Sequence, residues 1–96
     1  MNCFDKIVGI VGQARGFDAQ QIKSAERRAP FVRARYEVAY LARKYLDLSL
    51  PEIGRRLNRD HTSVINGLRR IEQRMQSPEY LKEVSCIEDR VWEALQ

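Results

Sequence analysis

The sequence has few of the residues from which metal sites, disulfide frameworks and histidine-based catalytic sites are built. Its 96 residues include two cysteines, Cys3 and Cys86, and a single histidine, His61. Cysteines without close spacing predict neither a zinc site nor a disulfide framework, so we expect two free thiols in a reducing compartment. The lone histidine also argues against a metal site and against catalysis by a histidine base.

The motifs of nucleotide-using enzymes and of membrane proteins are missing as well. The chain has no glycine-rich phosphate loop and no carboxylates paired for acid–base chemistry, so we predict no enzymatic activity and no cofactor. No stretch approaches the roughly 20 apolar residues that span a bilayer. The apolar patch at residues 7–11 is short, is broken by glycine and follows acidic Asp5, which does not fit a signal peptide. We therefore expect a cytoplasmic protein.

Size and charge predict one domain with a cationic surface. No linker divides the 96 residues, so residues 1–96 are expected to form a single domain with a modest core. The net charge of +4 is unevenly distributed. Residues 23–44 contain seven basic and two acidic side chains, whereas residues 77–96 contain two basic and five acidic ones. We expect the cationic surface to be separate from an acidic helix.

The apolar residues recur with a helical period, and no segment alternates strictly enough to be a strand. The sequence therefore predicts an all-α fold, a compact bundle of five to six helices. Gly16 should end the first helix, and Asp18 should cap one further turn. A basic loop at residues 23–30 and a helix from about Phe31 to Leu46 follow. The predicted core stripes contain Phe4, Ile7, Val8 and Val11, then Ala34, Val38, Leu41, Ala42 and Tyr45.

The sequence from about residue 49 to residue 75 predicts two helices joined by a tight turn, a helix-turn-helix. Ser49 and Glu52 form an S-x-x-E capping box, and Asn58 can adopt the left-handed conformation that ends a helix. Gly54 is a poor helix former, which fits a close approach of the two helices. The second helix combines an apolar inner stripe, formed by Val64, Leu68, Ile71 and Met75, with a polar and basic outer face, formed by Thr62, Asn66, Arg69 and Gln73.

The start of this second helix carries side chains that can read DNA bases when such a helix enters the major groove. Asp60 is either a plain N-cap or a cap that also accepts a hydrogen bond from cytosine. His61, Thr62 and Ser63 can bond to base edges or to phosphates. The expected phosphate contacts around them are Arg59, Asn66 and Arg69.

Arginines in and after the basic loop form a second candidate group. Arg27 and Arg28 are either part of a solvated turn or side chains that insert into a narrow, A·T-rich minor groove. Arg33, Arg35 and Arg43 lie on the helix that follows. We expect these three to contact phosphates, which fixes register without reading sequence.

The last helix, at residues 77–96, is acidic and should begin at Ser77. Most of its apolar residues are needed to cover the small core, and Trp92 is the one expected to remain exposed. An exposed tryptophan among acidic residues would suit a protein partner. No dedicated dimerisation segment is visible, so we predict a monomer that binds one asymmetric site.

Two segments, S-L-P-E-I-G at residues 49–54 and R-D-H-T-S-V at residues 59–64, closely resemble the signature of the C-terminal DNA-binding domain of the bacterial replication initiator DnaA. The resemblance extends from about Phe4 to Met75 and implies that domain's fold, a Trp-repressor-like helical bundle. It implies minor-groove contact for Arg27 and base contacts for residues 60–63. Backbone contacts are implied for Arg33, Arg35 and Arg43. The implied target is an asymmetric nonamer of the TTATNCACA type.

The sequence departs from this family pattern in three places. Its turn is one residue shorter, since Asn58 directly precedes Arg59. Glu26 and Ala29 replace basic or polar residues of the loop, which would weaken contact with the minor groove. No ATPase module accompanies the domain in these 96 residues, so we expect a free-standing relative that binds DNA without ATP-driven assembly.

The leading hypothesis is a sequence-specific double-stranded DNA-binding protein, associated with the nucleoid, that acts in transcription or replication control at an A·T-containing site. The alternative is an adaptor that keeps the fold but docks a replication or transcription protein through its last helix. The two differ in DNA affinity, which an adaptor would lack at moderate salt.

Overall fold

The computed structural model describes residues 2–96, in which six helices occur and no strand. The predicted all-α fold is therefore confirmed. None of these helices is long and apolar enough to cross a membrane. The helices are α1 (Cys3–Arg15), α2 (Ala19–Lys23), α3 (Ala29–Leu46), α4 (Leu50–Leu57), α5 (His61–Arg74) and α6 (Pro78–Ala94).

Local capping signals set most of the helix ends where the sequence predicted them. Gly16 follows α1 with φ of 83°, a left-handed conformation that glycine adopts without strain. Asp18 caps α2 by accepting a hydrogen bond of 2.8 Å from the Gln21 N–H. Ser77 caps α6 in the same way. In contrast, α3 begins at Ala29, ahead of the predicted Phe31, because Pro30 lies in its first turn, where a missing N–H breaks no bond.

The turn of the helix-turn-helix is tight because of Gly54 and Asn58. Asn58 is left-handed, with φ of 59°, and the Arg59 N–H donates to the Gly54 carbonyl at 2.7 Å. A Cβ on Gly54 would lie 2.5 Å from the Arg59 carbonyl oxygen, so the predicted close approach is confirmed. The predicted capping box forms only in part. Ser49 accepts from the Glu52 N–H, but the Glu52 carboxylate pairs with Arg55 and Arg56.

The core lies around α3, which packs against α1, α2, α4 and α5. The apolar stripes predicted for α1 and α3 are buried, except that Tyr45 is half-buried. On α5, Val64 and Ile71 are buried, whereas Leu68 and Met75 lie at the edge. A smaller cluster of Ile71, Tyr80 and Val84 joins α5 to α6. On α6, Trp92 remains exposed as predicted.

A buried ionic cluster, absent from the sequence-based predictions, joins α1, α3 and α6. The carboxylate of Glu37, only 2% exposed, accepts two hydrogen bonds from Arg15 at 2.9 and 2.6 Å. The Tyr80 hydroxyl donates to the same carboxylate at 2.5 Å, and Arg15 also donates to Glu83 at 2.6 Å. Burial, followed by the bond to Glu37, raises the pKa of Tyr80. Arg15 is therefore fully engaged in holding three helices together.

Candidate nucleic-acid interface

The first turn of α5 presents polar side chains to solvent. Asp60 caps the helix by accepting a hydrogen bond of 2.7 Å from the Ser63 N–H, and this bond lowers the pKa of the carboxyl. His61 and Thr62 are exposed, and Ser63 is half-buried. The capping role of Asp60 is thus observed, and its base contact stays a prediction. The same turn leaves residues 60–62 at the surface, where a groove of DNA could reach them.

The outer face of α5 continues this polar surface. Asn66 and Arg69 are exposed, and within residues 2–96 the Arg69 guanidinium has no hydrogen bond or ion pair. On the other side of α5, Gly67 packs directly against the ring of Tyr36, so closely that a Cβ on Gly67 would overlap the ring. This contact fixes how α5 lies on α3 and therefore how its polar face is presented.

The two arginines of the basic loop differ in their surroundings. Arg28 pairs with Glu26 through contacts of 3.1 Å and lies 5.0 Å over the ring of Phe31. The hydrogen bond from Arg28 lowers the pKa of the Glu26 carboxyl. Arg27 is exposed, and its side chain forms no hydrogen bond or ion pair with any residue of the described part of the chain. Arg27 is consequently the loop arginine that is available to a ligand.

Arg35 corrects the sequence-based prediction of a phosphate contact. Its side chain is 2% exposed, and its guanidinium donates to the backbone carbonyls of Ile22, Ser24 and Glu26 at 2.8 to 2.9 Å. Burial lowers the pKa of Arg35, and the nearby charge of Arg59 adds to this effect. The guanidinium is occupied inside the protein, so it cannot serve the role predicted for it without breaking these bonds.

Of the other arginines predicted to contact phosphates on α3 and in the turn, Arg59 and Arg43 are partly engaged and Arg33 is not. Arg59 donates to the carbonyls of Ser24 and Asn58. Arg43 is exposed but donates to the Leu48 carbonyl at 3.0 Å. Arg33 is half-buried, and its Nε has no hydrogen-bond partner among residues 2–96. Each of these roles stays a prediction.

Two adjoining grooves bring the loop and α5 onto one surface. The first groove is lined by Ser63, Asn66 and Arg35. The second groove has a volume of about 230 Å³ and is lined by several arginines. Tyr36, Gly67 and Arg70 line both grooves. No acidic residue lines either groove. The arginines of the second groove are Arg27, Arg33, Arg70 and Arg74.

Sequence reasoning assigned no role to Arg70 or Arg74. Their spacing of four residues places both on the same side of α5, which is the signal that could have found them.

The geometry described above is that of a helix-turn-helix whose second helix and neighbouring loop present unpaired cations. A sequence model of the family described as bacterial dnaA protein helix-turn-helix matches residues 4–71. The chain belongs to this DnaA helix-turn-helix family. The match covers nearly all of α1, all of α2 to α4 and most of α5, close to the predicted resemblance from Phe4 to Met75, and leaves α6 outside.

Individual proteins agree with the family match. The chain is 50% identical over 62 residues to the chromosomal replication initiator protein DnaA of Oleidesulfovibrio alaskensis, which covers 62% of this chain and 13% of that protein. It is 39% identical over 77 residues to the DnaA of Gloeobacter violaceus, covering 78% and 17%. The fold is similar to a crystal structure of a DNA replication initiation factor, with a TM-score of 0.89 and 28% identity over 98% of this chain and 29% of the other.

Proposed function

We propose that this chain binds double-stranded DNA sequence-specifically, with the N-terminal end of α5 in the major groove and Arg27 in the neighbouring minor groove. The observation that carries the proposal is the surface shared by the first turn of α5 and the arginine-lined groove, where cations lie without acidic partners. A cationic surface of this kind favours the phosphate backbone, because binding releases condensed counterions.

The side chains proposed to bind DNA divide into those that contact bases and those that contact phosphates. Asp60, His61 and Thr62 reach the surface from the first turn of α5, where they can meet base edges, and Ser63 lies beside them. Asn66 lines the same groove as Ser63, whereas Arg43 and Arg69 line a separate groove farther along α5. All three side chains suit phosphates. Arg33 and Arg70 extend the backbone contacts along the groove towards Arg27. Arg28 can join Arg27 in the minor groove only by leaving Glu26.

The proposed target is an asymmetric A·T-containing duplex site bound by one copy of the chain. The proposed setting is replication or transcription control at the nucleoid, in the cytoplasm. Replication is supported by the DnaA relatives, of which this chain spans 13 to 20% of the length. The activity proposed for these residues is binding rather than catalysis.

A second candidate function rests on α6. Trp92 is 57% exposed and Leu81 is 47% exposed, although both are large apolar residues on an acidic helix. Exposed aromatic residues of this kind are enriched in protein interfaces. The alternative is therefore an adaptor whose α6 docks a replication or transcription protein, with no need for DNA.

A salt titration of binding to duplex DNA separates the two functions. About four to six phosphate contacts predict that the logarithm of the binding constant falls against the logarithm of salt concentration with a slope of roughly −4 to −5. Selection of bound sequences from a random duplex pool then gives the site. Negligible affinity for every duplex at moderate salt would contradict DNA binding and favour the adaptor. A selected site with two-fold symmetry would contradict the single-copy proposal.

A further inference from the structure

The carbonyl of Ser24, at the start of the basic loop, accepts hydrogen bonds from two arginines of different elements. Arg35 of α3 donates through Nη2 at 2.8 Å, and Arg59 of the helix-turn-helix turn donates through its own Nη2. Arg59 is 35 residues from Ser24 in sequence. Two distant segments therefore meet at a single backbone oxygen.

Arg35 fixes the shape of the loop. Its buried guanidinium also donates to the carbonyls of Ile22 and Glu26, so the backbone from residue 22 to residue 26 wraps around one planar group. Arg27 follows immediately after the last of these carbonyls. The position from which the Arg27 side chain starts is thus set by the side chain of Arg35.

Arg59 joins this fixed loop to the start of α5. Its Nη1 donates at 2.9 Å to the carbonyl of Asn58, in the turn that precedes α5, and lies 3.4 Å from the carbonyl of Leu57, the last residue of α4. Asp60, the N-cap of α5, is the next residue. One guanidinium consequently holds both the loop that carries Arg27 and the turn that sets the start of α5.

Arg35 and Arg59 share the Ser24 carbonyl although both side chains are positively charged. Two like charges that share one acceptor repel each other, and the charge of Arg59 contributes to lowering the pKa of Arg35. Both guanidiniums point at backbone oxygens rather than carboxylates. The bonds therefore define a distance between two backbone segments.

We infer that Arg59 is a positioning residue that fixes the separation between Arg27 and the reading end of α5. It thereby sets the spacing between the A·T-rich flank and the bases met by residues 60–63. The inference rests on the proposed DNA binding and gives Arg59 a role different from the phosphate contact predicted from sequence. A phosphate contact affects all duplexes alike, whereas a positioning contact affects the tolerated spacing.

The test uses duplexes that carry the selected core with the A·T-rich tract at its selected position or moved by one or two base pairs. For the wild-type chain we expect about a tenfold loss of affinity when the tract moves, because Arg27 no longer meets the narrow groove. Arg59→Ala should bind the selected and shifted duplexes within about threefold of each other while keeping its preference for the core bases. Arg90→Ala, which removes one positive charge from α6, should behave like the wild type.

Other results would overturn the inference. If Arg59→Ala weakens binding to every duplex equally and keeps the spacing preference, Arg59 is a phosphate contact. A wild-type chain that tolerates all spacings also contradicts the inference while leaving DNA binding intact. A wild-type chain that binds no duplex refutes the proposed function instead. Circular dichroism checks folding, and if Arg59→Ala is unfolded, Arg59→Lys takes its place, since its single amine lacks the fork that bridges the two carbonyls.

Discussion

Arg15 and Arg27 show how differently one residue type is used in two regions of this small domain, the junction of α1, α3 and α6 and the basic loop. Arg15 lies between α1, α3 and α6 and donates to two carboxylates, one of them buried. Arg27 lies in the basic loop, exposed and without an ion pair among residues 2–96. Arg15 uses its charge to hold helices together, whereas Arg27 leaves its charge open to a ligand. The acceptors around a cation decide its role.

The largest effect should come from breaking the buried cluster at Glu37. Glu37→Ala leaves the Arg15 guanidinium and the Tyr80 hydroxyl without their buried partner. Removing one member of a buried ion pair costs about 3–5 kcal/mol of unfolding free energy. Urea denaturation measures this loss. The matched control is Glu83→Ala, at the exposed end of the same cluster, which should lose much less. Equal stability of the two variants would contradict the role given to Glu37.

A smaller loss of stability is expected from the contact between α5 and α3. In Gly67→Ala, the new methyl group overlaps the ring of Tyr36, and overpacking of this kind costs about 1–3 kcal/mol. Gly9→Ala is the control, because Gly9 is an exposed residue of α1 with nothing within 4 Å of its Cβ position. Alanine should stabilise α1 there by up to about 1 kcal/mol. The thermal unfolding temperature should fall in Gly67→Ala and rise in Gly9→Ala, and shifts in the same direction would disprove the packing argument.

Adjacent arginines of the loop provide the third comparison. Arg27→Ala should weaken binding to sites with an A·T-rich flank by about 1–3 kcal/mol, with unchanged thermal stability. Arg28→Ala should weaken it less, since Arg28 is already paired with Glu26. Fluorescence anisotropy with duplexes that have A·T-rich or G·C-rich flanks measures both. If the loss for Arg27→Ala is the same with either flank, its minor-groove role is wrong.

The smallest effect is expected at Asp60, where two substitutions distinguish capping of α5 from contact with a base. Asp60→Asn keeps an N-cap side chain, so stability should change little, whereas Asp60→Ala should unfold at a measurably lower temperature. The Asp60 carboxylate can accept a hydrogen bond from the amino group of cytosine. Alanine has no acceptor and asparagine adds an amide donor, so both variants should lose the preference for that base. An unchanged selected site for Asp60→Asn would leave Asp60 with capping alone.

The pH dependence of the same variant provides a check. The pKa of Asp60 is lowered in the folded protein, so its charged cap stabilises fully above the ordinary aspartate pKa of about 3.9. That contribution is lost as the pH falls below this value through the lowered pKa. Asp60→Asn should lack this component of acid sensitivity, as thermal unfolding at a series of pH values would show.

The helix ends were predictable because their signals are local. Gly16, Asp18, Asn58 and Ser77 each act on backbone groups within a few residues, so reading the chain was enough to place them. The start of α3 was less predictable, and it lies two residues before the predicted Phe31. Proline is disfavoured inside a helix but tolerated in its first turn, where Pro30 lies.

The roles of the arginines were harder to predict because they depend on tertiary packing. Arg33 and Arg35 look alike in sequence, yet only Arg35 is buried. Val38 and Ala42 follow it by three and seven residues, which places Arg35 on the buried side of α3. Leu41 follows Glu37 by four residues, which places Glu37 there as well. The helical period therefore contained the information. The carbonyls that Arg35 meets come from α2 and the loop, and their arrangement could not be read from α3 alone.

The most direct test of the account follows the arginine Nε–Hε signals by NMR as a selected duplex is added. The signals of Arg27 and Arg69 should shift strongly because their guanidiniums are free to bind DNA. Those of Arg15 and Arg35 should stay in place because their hydrogen bonds inside the protein are retained. Shifts of Arg15 and Arg35 as large as those of Arg27 and Arg69 would contradict the division of the arginines on which the account rests.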